Sequence, residues 1–340
     1  MTSDALLSGH GVRSPLDGVH KLFIALIFAL CVAGGVSLFT SSAGDIDVLI
    51  SEDETAARLI FFEIRLPRTI LAVLIGAALG ASGAALQGYF RNPLAEPGVI
   101  GVSSAGALGA VFALYFGLSS TFTLALPVSA IASALAAAFI LQAISFQKSS
   151  TTLILAGVAI SSICAALTSL ALNLSSNPFA SQEIIFWLLG SLVDRSMNHV
   201  ALAAPFIIAG LVSLLVAARD LNALSLDEDV ARSLGVDLNL IRTLIIGGSA
   251  LAVGAATAVC GVIGFVGLVA PHLLRPLVGY RPGVLVAASA VGGALLLTCA
   301  DILVRIVPLN SELRLGVATS LIGAPFFLYL AVRTRGSDLE

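Results

Sequence analysis

The stretch RLPRTILAVLIGAALGASGAALQGYF, residues 65–90, decides the fold class. Beyond Arg68 it carries no charged side chain as far as Phe90, enough for the roughly 20 apolar residues a helix needs to cross the hydrocarbon core of a bilayer. Pro67 suits the first turn of such a helix, where a missing N–H costs nothing. Gly76, Gly80 and Gly83 recur along the stretch. No hydrophobic effect draws helices together in lipid, so small residues that allow close backbone approach read as packing sites.

The rest of the chain has the same character. Of 340 residues, 58% are hydrophobic and 11% charged, with a mean hydropathy of +1.04. A soluble domain carries about 25% charged residues. This chain lacks the charge to cover a large core with a water-facing surface, so its outer surface faces lipid. Candidate spans fall at 22–41, 68–90, 99–117, 122–146, 152–174, 199–218, 241–260, 263–279, 284–307 and 314–333, about ten in all. The first is longer than a signal-peptide core and no small-x-small cleavage site ends it. The eighth is short and interrupted by Pro271. The expected organisation is a tail over 1–20, a transmembrane domain over 21–335 and a short tail over 336–340.

Lysine and arginine placement sets the orientation. With the N-terminus inside, eleven basic residues fall on the inner side and six (Arg58, Arg65, Arg68, Arg195, Arg305 and Arg314) on the outer side. Both termini are therefore expected in the cytoplasm. Gly76-Ala77-Ala78-Leu79 in the second span resembles Gly248-Ser249-Ala250-Leu251 in the seventh. Copies in such positions would run in opposite directions, as in transporters built from inverted repeats.

Other function classes find little support. A net charge of −3 with no basic tail gives no footprint for nucleic acid. Gly261, Gly264 and Gly267 do not form a dinucleotide fingerprint, and no GxxxxGK[ST] occurs, so the chain lacks an ATPase motif. Cys31, Cys164, Cys260 and Cys299 stand singly in apolar runs and read as small core residues, without metal-ligand spacing. His272, alone after Pro271, reads as a packing or hydrogen-bonding residue.

Three loops carry functional signals. Arg65-Leu66-Pro67-Arg68 presents two cations at the outer start of the second span, either snorkelling or meeting an acidic partner. Arg91-Asn92-Pro93-Leu94-Ala95-Glu96-Pro97-Gly98 forbids continuous helix and places Asn92 and Leu94 at the inner mouth of any pathway. Leu221–Val236 reads as a short amphipathic helix capped by Ser225, with Leu226, Val230 and Leu234 as an apolar face for a partner's groove. The segment Ile184–Leu189, with the only Trp, reads as an interfacial helix.

RLPRT, NPLAEPG with GVSS, LILAGVA, WLLGSL, LNALSLDEDVARSLGV, GFVGLVAPHLLR, ADILVR and LGVATSLIGAPFFLYL follow one another from residue 65 to 330. The ordered set closely resembles the FecCD-type permease subunits of type II ABC importers, which take up iron chelates, haem and cobalamin. The resemblance implies an all-α membrane protein of about ten transmembrane helices, working as a homodimer or beside a paralogous permease. It implies cytoplasmic ABC ATPases that use ATP and Mg, a periplasmic binding protein and no cofactor on this chain, all at a bacterial inner membrane. Residue by residue, it places binding-protein docking at Arg65, Arg68 and Arg305, and the cytoplasmic gate at Asn92, Leu94, Ser150 and Thr151. ATPase coupling falls on 221–236, with Leu224, Leu226, Glu228, Ala231, Leu234 and Gly235. Asp227 stands where the family usually has glycine, and Asp301, four residues before Arg305, offers that arginine a structural ion pair instead. An ion-coupled secondary transporter or channel is the alternative; it calls for midplane carboxylates, which the central spans almost lack.

Overall fold

A computed structural model describes the backbone of residues 15–40, 54–118, 122, 124–144, 150–175, 177–307 and 313–335. Every regular element among them is helical. In chain order these are α1 (Pro15–Phe39), α2 (Glu54–Leu59), a π-helical stretch (Ile60–Arg65), α3 (Leu66–Phe90), α4 (Val102–Tyr115), α5 (Ala125–Ile144) and α6 (Ser150–Leu174). They continue with α7 (Pro178–Leu188), α8 (Met197–Leu224), α9 (Glu228–Ser233), α10 (Leu238–Cys260), α11 (Val266–Leu274), α12 (Pro282–Ile306) and α13 (Leu315–Arg335). Among the described residues seven helices are long and apolar enough to cross a membrane; α4 and α13 are shorter apolar helices, and the nine-residue α11 lies where the eighth span was expected, an arrangement compatible with a count of about ten.

The bundle is built around α3 and α10, the two most buried of the long helices. These also hold the Gly76 and Gly248 segments whose similarity suggested inverted halves. The most extensive pairing joins α3 to α12. A Cβ at Gly76 would collide with the Gly293 carbonyl and one at Gly80 with the Ser289 carbonyl, so backbone meets backbone along this seam. That closeness supplies the dispersion contacts that hold helices together in lipid. α10 packs against both α5 and α8, while α1 and α6 remain largely exposed.

Three local expectations are corrected. The eighth span is short because Gly261–Phe265 is unwound, with Gly261 at φ 76° and Phe265 at φ 66°; Pro271 sits inside α11 without ending it. At 1.5 Å per residue the nine residues of α11 cover only about 14 Å. Second, residues 221–224 are the last turn of α8, and Ser225 ends that helix, donating to the Asn222 carbonyl. Asp227 caps α9 instead, its Oδ1 accepting the Asp229 N–H. Third, only Cys164 and Cys260 are buried; Cys31 and Cys299 are exposed.

Candidate functional site

At one end of the bundle, the end of α1 meets the starts of α3 and the last turns of α12. Arg68 Nε lies 3.0 Å from Asp301 Oδ1 and 3.2 Å from Oδ2, and its NH2 lies 2.8 Å from Oδ1. Arg305 NH2 also pairs with Asp301 Oδ2 and donates to Ser37 Oγ at 2.9 Å. Arg305 NH1 donates to the Ser37 and Thr40 carbonyls, and Arg65 NH1 to the Leu38 carbonyl at 3.2 Å. Two guanidinium groups thus satisfy carbonyls that the end of α1 leaves without intrahelical partners, where the helix dipole favours a cation. Arg65, Arg68 and Arg305 are 3%, 9% and 7% exposed and Asp301 is fully buried. The expected outward pair Arg65 and Arg68 is therefore turned inward, and the Arg305–Asp301 pair suggested by spacing is present.

At the opposite end of α3, Arg91 takes a left-handed conformation (φ 50°) and stops the helix. Asn92 Oδ1 accepts the Leu94 N–H at 2.9 Å, fixing a tight turn that leaves Leu94 exposed. The loop then folds back against α6: Ser161 Oγ donates to the Gly98 carbonyl at 2.9 Å, and Gly157 faces the backbone of Val99 and Ile100. The loop that carries Asn92 and Leu94 is thus seated on α6 through its far end, Gly98–Ile100. Ser150 and Thr151 open α6, and their side chains lie outside the described residues. Sequence reading passed over Glu96, whose carboxylate accepts the Phe265 N–H at the start of α11. Burial pushes its pKa from 4.5 to about 7. Gln87 ties the same region together, donating to the Gly267 carbonyl and accepting from Arg275.

Beyond the loop, α9 forms a short knob between α8 and α10. Leu224 and Ala231 point into the core, while Leu226, Val230 and Leu234 are 67%, 42% and 63% exposed. Glu228 is half-buried, and Gly235 (φ 83°) closes α9 with the left-handed turn that favours glycine. Asp237 immediately caps α10, accepting from the Asn239 and Leu240 N–H groups. The knob is thus held by caps at both sides and leaves its apolar face free. Two of the six expected coupling residues serve the core, and Leu226 and Leu234 supply the exposed contact.

Among the described residues no three His, Cys, Asp or Glu side chains lie close enough to hold a metal ion. His272 packs edge-on against the Phe326 ring. A concavity of about 1520 Å³ lies at the end of the bundle where α7 meets the starts of α5 and α8. Its lining includes Trp187, Arg195, His199 and Arg314; sequence reading took Trp187 as an anchor, only counted the two arginines for charge and passed over His199.

A family model described as the FecCD transport family matches residues 22–333. The cobalamin import system permease protein of Halobacterium salinarum is 40% identical over 277 residues, covering 81% of this chain and 73% of that protein. The hemin transport system permease protein of Yersinia pestis is 36% identical over 325 residues, covering 92% and 95%. Among solved structures, a metal-chelate type ABC transporter in an inward-facing conformation matches with a TM-score of 0.83 at 33% identity, covering 92% of this chain and 99% of that one.

Proposed function

From the premise that this chain belongs to the FecCD transport family, matched over residues 22–333, we propose that it forms the translocation path of an ATP-driven importer for a metal chelate, haem or cobalamin. Relatives named for cobalamin and haem transport support the substrate class. One observation carries the energy coupling: a short capped helix and its flanking turns hold Leu226, Val230 and Leu234 exposed, outside the core. An exposed apolar face on a short rigid helix suits insertion into a groove of a separate protein. The partner is a cytoplasmic ABC ATPase that binds and hydrolyses ATP with Mg. On this reading α9 and both termini are cytoplasmic, and the membrane is the bacterial inner membrane.

A periplasmic binding protein delivers substrate at the end holding Arg65, Arg68 and Arg305, and a second permease copy or a paralogue completes the path. ATPase closure moves α9, and the movement reaches the loop bearing Asn92 and Leu94 through α10, α11 and α3. The carboxylate an ion-coupled mechanism would need, Asp301, is bonded to two arginines. The test replaces both Leu226 and Leu234 by Asp in the full chain, co-expressed with its ATPase and binding protein. ATPase co-purification and import should be lost while the permease still inserts and stays folded. Undiminished co-purification and import in that variant would overturn the reading.

A further inference from the structure

The concavity at the α7 end combines a cationic rim with apolar walls. Arg195 lies in the loop between α7 and α8, and among the described residues its Nε is buried without a hydrogen-bond partner. Burial lowers its pKa. Arg314, at the start of α13, lies with its guanidinium 5.2 Å from the centre of the Phe186 ring. His199 Nδ1 accepts the Ser196 N–H, so the neutral ring carries its proton on Nε2 as a further donor. Glu183 and Asp194 also line the rim, but both are exposed. Below the rim the surface turns apolar. Ala258 and Val259, from the last turn of α10, form a floor between Val128 of α5 and Phe206 of α8. Farther along the same two helices more apolar side chains are exposed, Leu135 and Phe139 on α5 and Ile208 and Val212 on α8.

This order, cations at the level of an interfacial Trp and an apolar trough beneath, matches a molecule with an anionic head and a hydrocarbon tail. Guanidinium groups bind phosphate oxygens with strong charge-assisted hydrogen bonds. We propose that the crevice seats an anionic phospholipid of the adjoining leaflet, with its phosphate on Arg195 and Arg314 and an acyl chain in the trough between α5 and α8. The function goes beyond transport of the substrate: a bound lipid wedges α7 against α8 and α13 and fixes their spacing at the mouth of the bundle.

The chain's only tryptophan, Trp187, lines the crevice and reports on it directly. The full chain is reconstituted in phosphatidylcholine vesicles containing a fixed fraction of acyl-brominated lipid, and Trp quenching is compared for brominated phosphatidylglycerol and brominated phosphatidylcholine. Phosphatidylglycerol should associate more tightly, by roughly fivefold for each cation engaged. R195Q with R314Q should remove that preference and leave phosphatidylcholine quenching unchanged, whereas R195K should retain it. Equal quenching by both lipids in the unaltered chain, or a preference that survives R195Q with R314Q, would overturn the proposal. So would reversal of the preference by soluble glycerol phosphate, which marks a simple anion site. Protection of Trp187 from both lipids by an added binding protein would make the crevice a protein contact instead.

Discussion

Arg68 and Asp301, 233 residues apart in sequence, form a forked ion pair that joins the first turn of α3 to the last turns of α12. The same carboxylate holds Arg305. One anion therefore compensates two guanidinium groups in a site closed to water, and removing it leaves both without that compensation.

Replacing Asp301 by Ala should cost about 3–5 kcal/mol, the range for breaking a buried charge pair from one side. Thermal unfolding of the detergent-solubilised protein measures this. R68M combined with D301L should recover part of the loss, because only the Arg305 guanidinium then lacks its carboxylate. If D301A unfolds at the same temperature as the parent, the cluster does not hold these ends of α1, α3 and α12 together.

The seam between α3 and α12 predicts a sharp contrast among glycines. Gly80→Leu forces a side chain onto the Ser289 carbonyl and should cost about 1–3 kcal/mol or more through overpacking. A Cβ at Gly247, on α10, meets nothing within 4 Å, so Gly247→Ala should be tolerated. Yield of folded protein after size-exclusion chromatography distinguishes the two.

Glu96 gives a pH-dependent prediction. Its pKa is raised on folding from 4.5 to about 7, so the folded state holds the proton where the unfolded chain has released it. Stability linked to this group is fully present below pH 4.5 and is lost as pH rises to about 7, by on the order of 2–3 kcal/mol. Glu96→Gln should flatten that slope and raise stability at pH 8. Unfolding curves collected from pH 4.5 to 8 on parent and variant provide the check, and parallel slopes would contradict the assignment.

Asp227 adopts extended backbone (φ 179°) and caps α9. Asp227→Ala should weaken the helix by about 1 kcal/mol, whereas Asp227→Gly costs only a few tenths, since glycine is a tolerable N-cap. Binding-protein-stimulated ATP hydrolysis should therefore fall in the alanine variant and stay close to parental in the glycine variant. The reverse order would show that the carboxylate serves something other than the cap.

Most of the spans were legible because lipid imposes a single demand, a long apolar run, that sequence displays openly. Residues 65–90 announced α3 together with the glycines of its packing seam. The short helix around Trp187 was legible as well, although it starts earlier, at Pro178 after an Asn177 cap. What sequence could not display were relationships between distant residues. Nothing in RLPRT says that Arg68 will find a carboxylate on α12, so an inward clamp read as an outward pair of charges. The unwound stretch before α11 was obscured for a related reason. Of its two positive-φ residues, Gly261 and Phe265, the second carries no turn signal, and Pro271 drew attention away from it. The α9 cap was misplaced by two residues because Ser225 and Asp227 are both good N-caps, and the length of α8 decides between them.

The knob formed by α9 has a consequence for how the cell must handle this protein. Burying one large apolar side chain is worth about 1.5–3 kcal/mol, and α9 with its flanking turns leaves three, Leu226, Val230 and Leu234, exposed. If this face docks the ATPase, as proposed, a copy inserted in the membrane without that partner displays a sticky patch to every soluble protein around it. The lifetime of an orphan copy is then set by quality control, and the abundance of the finished transporter follows whichever of the two proteins is scarcer.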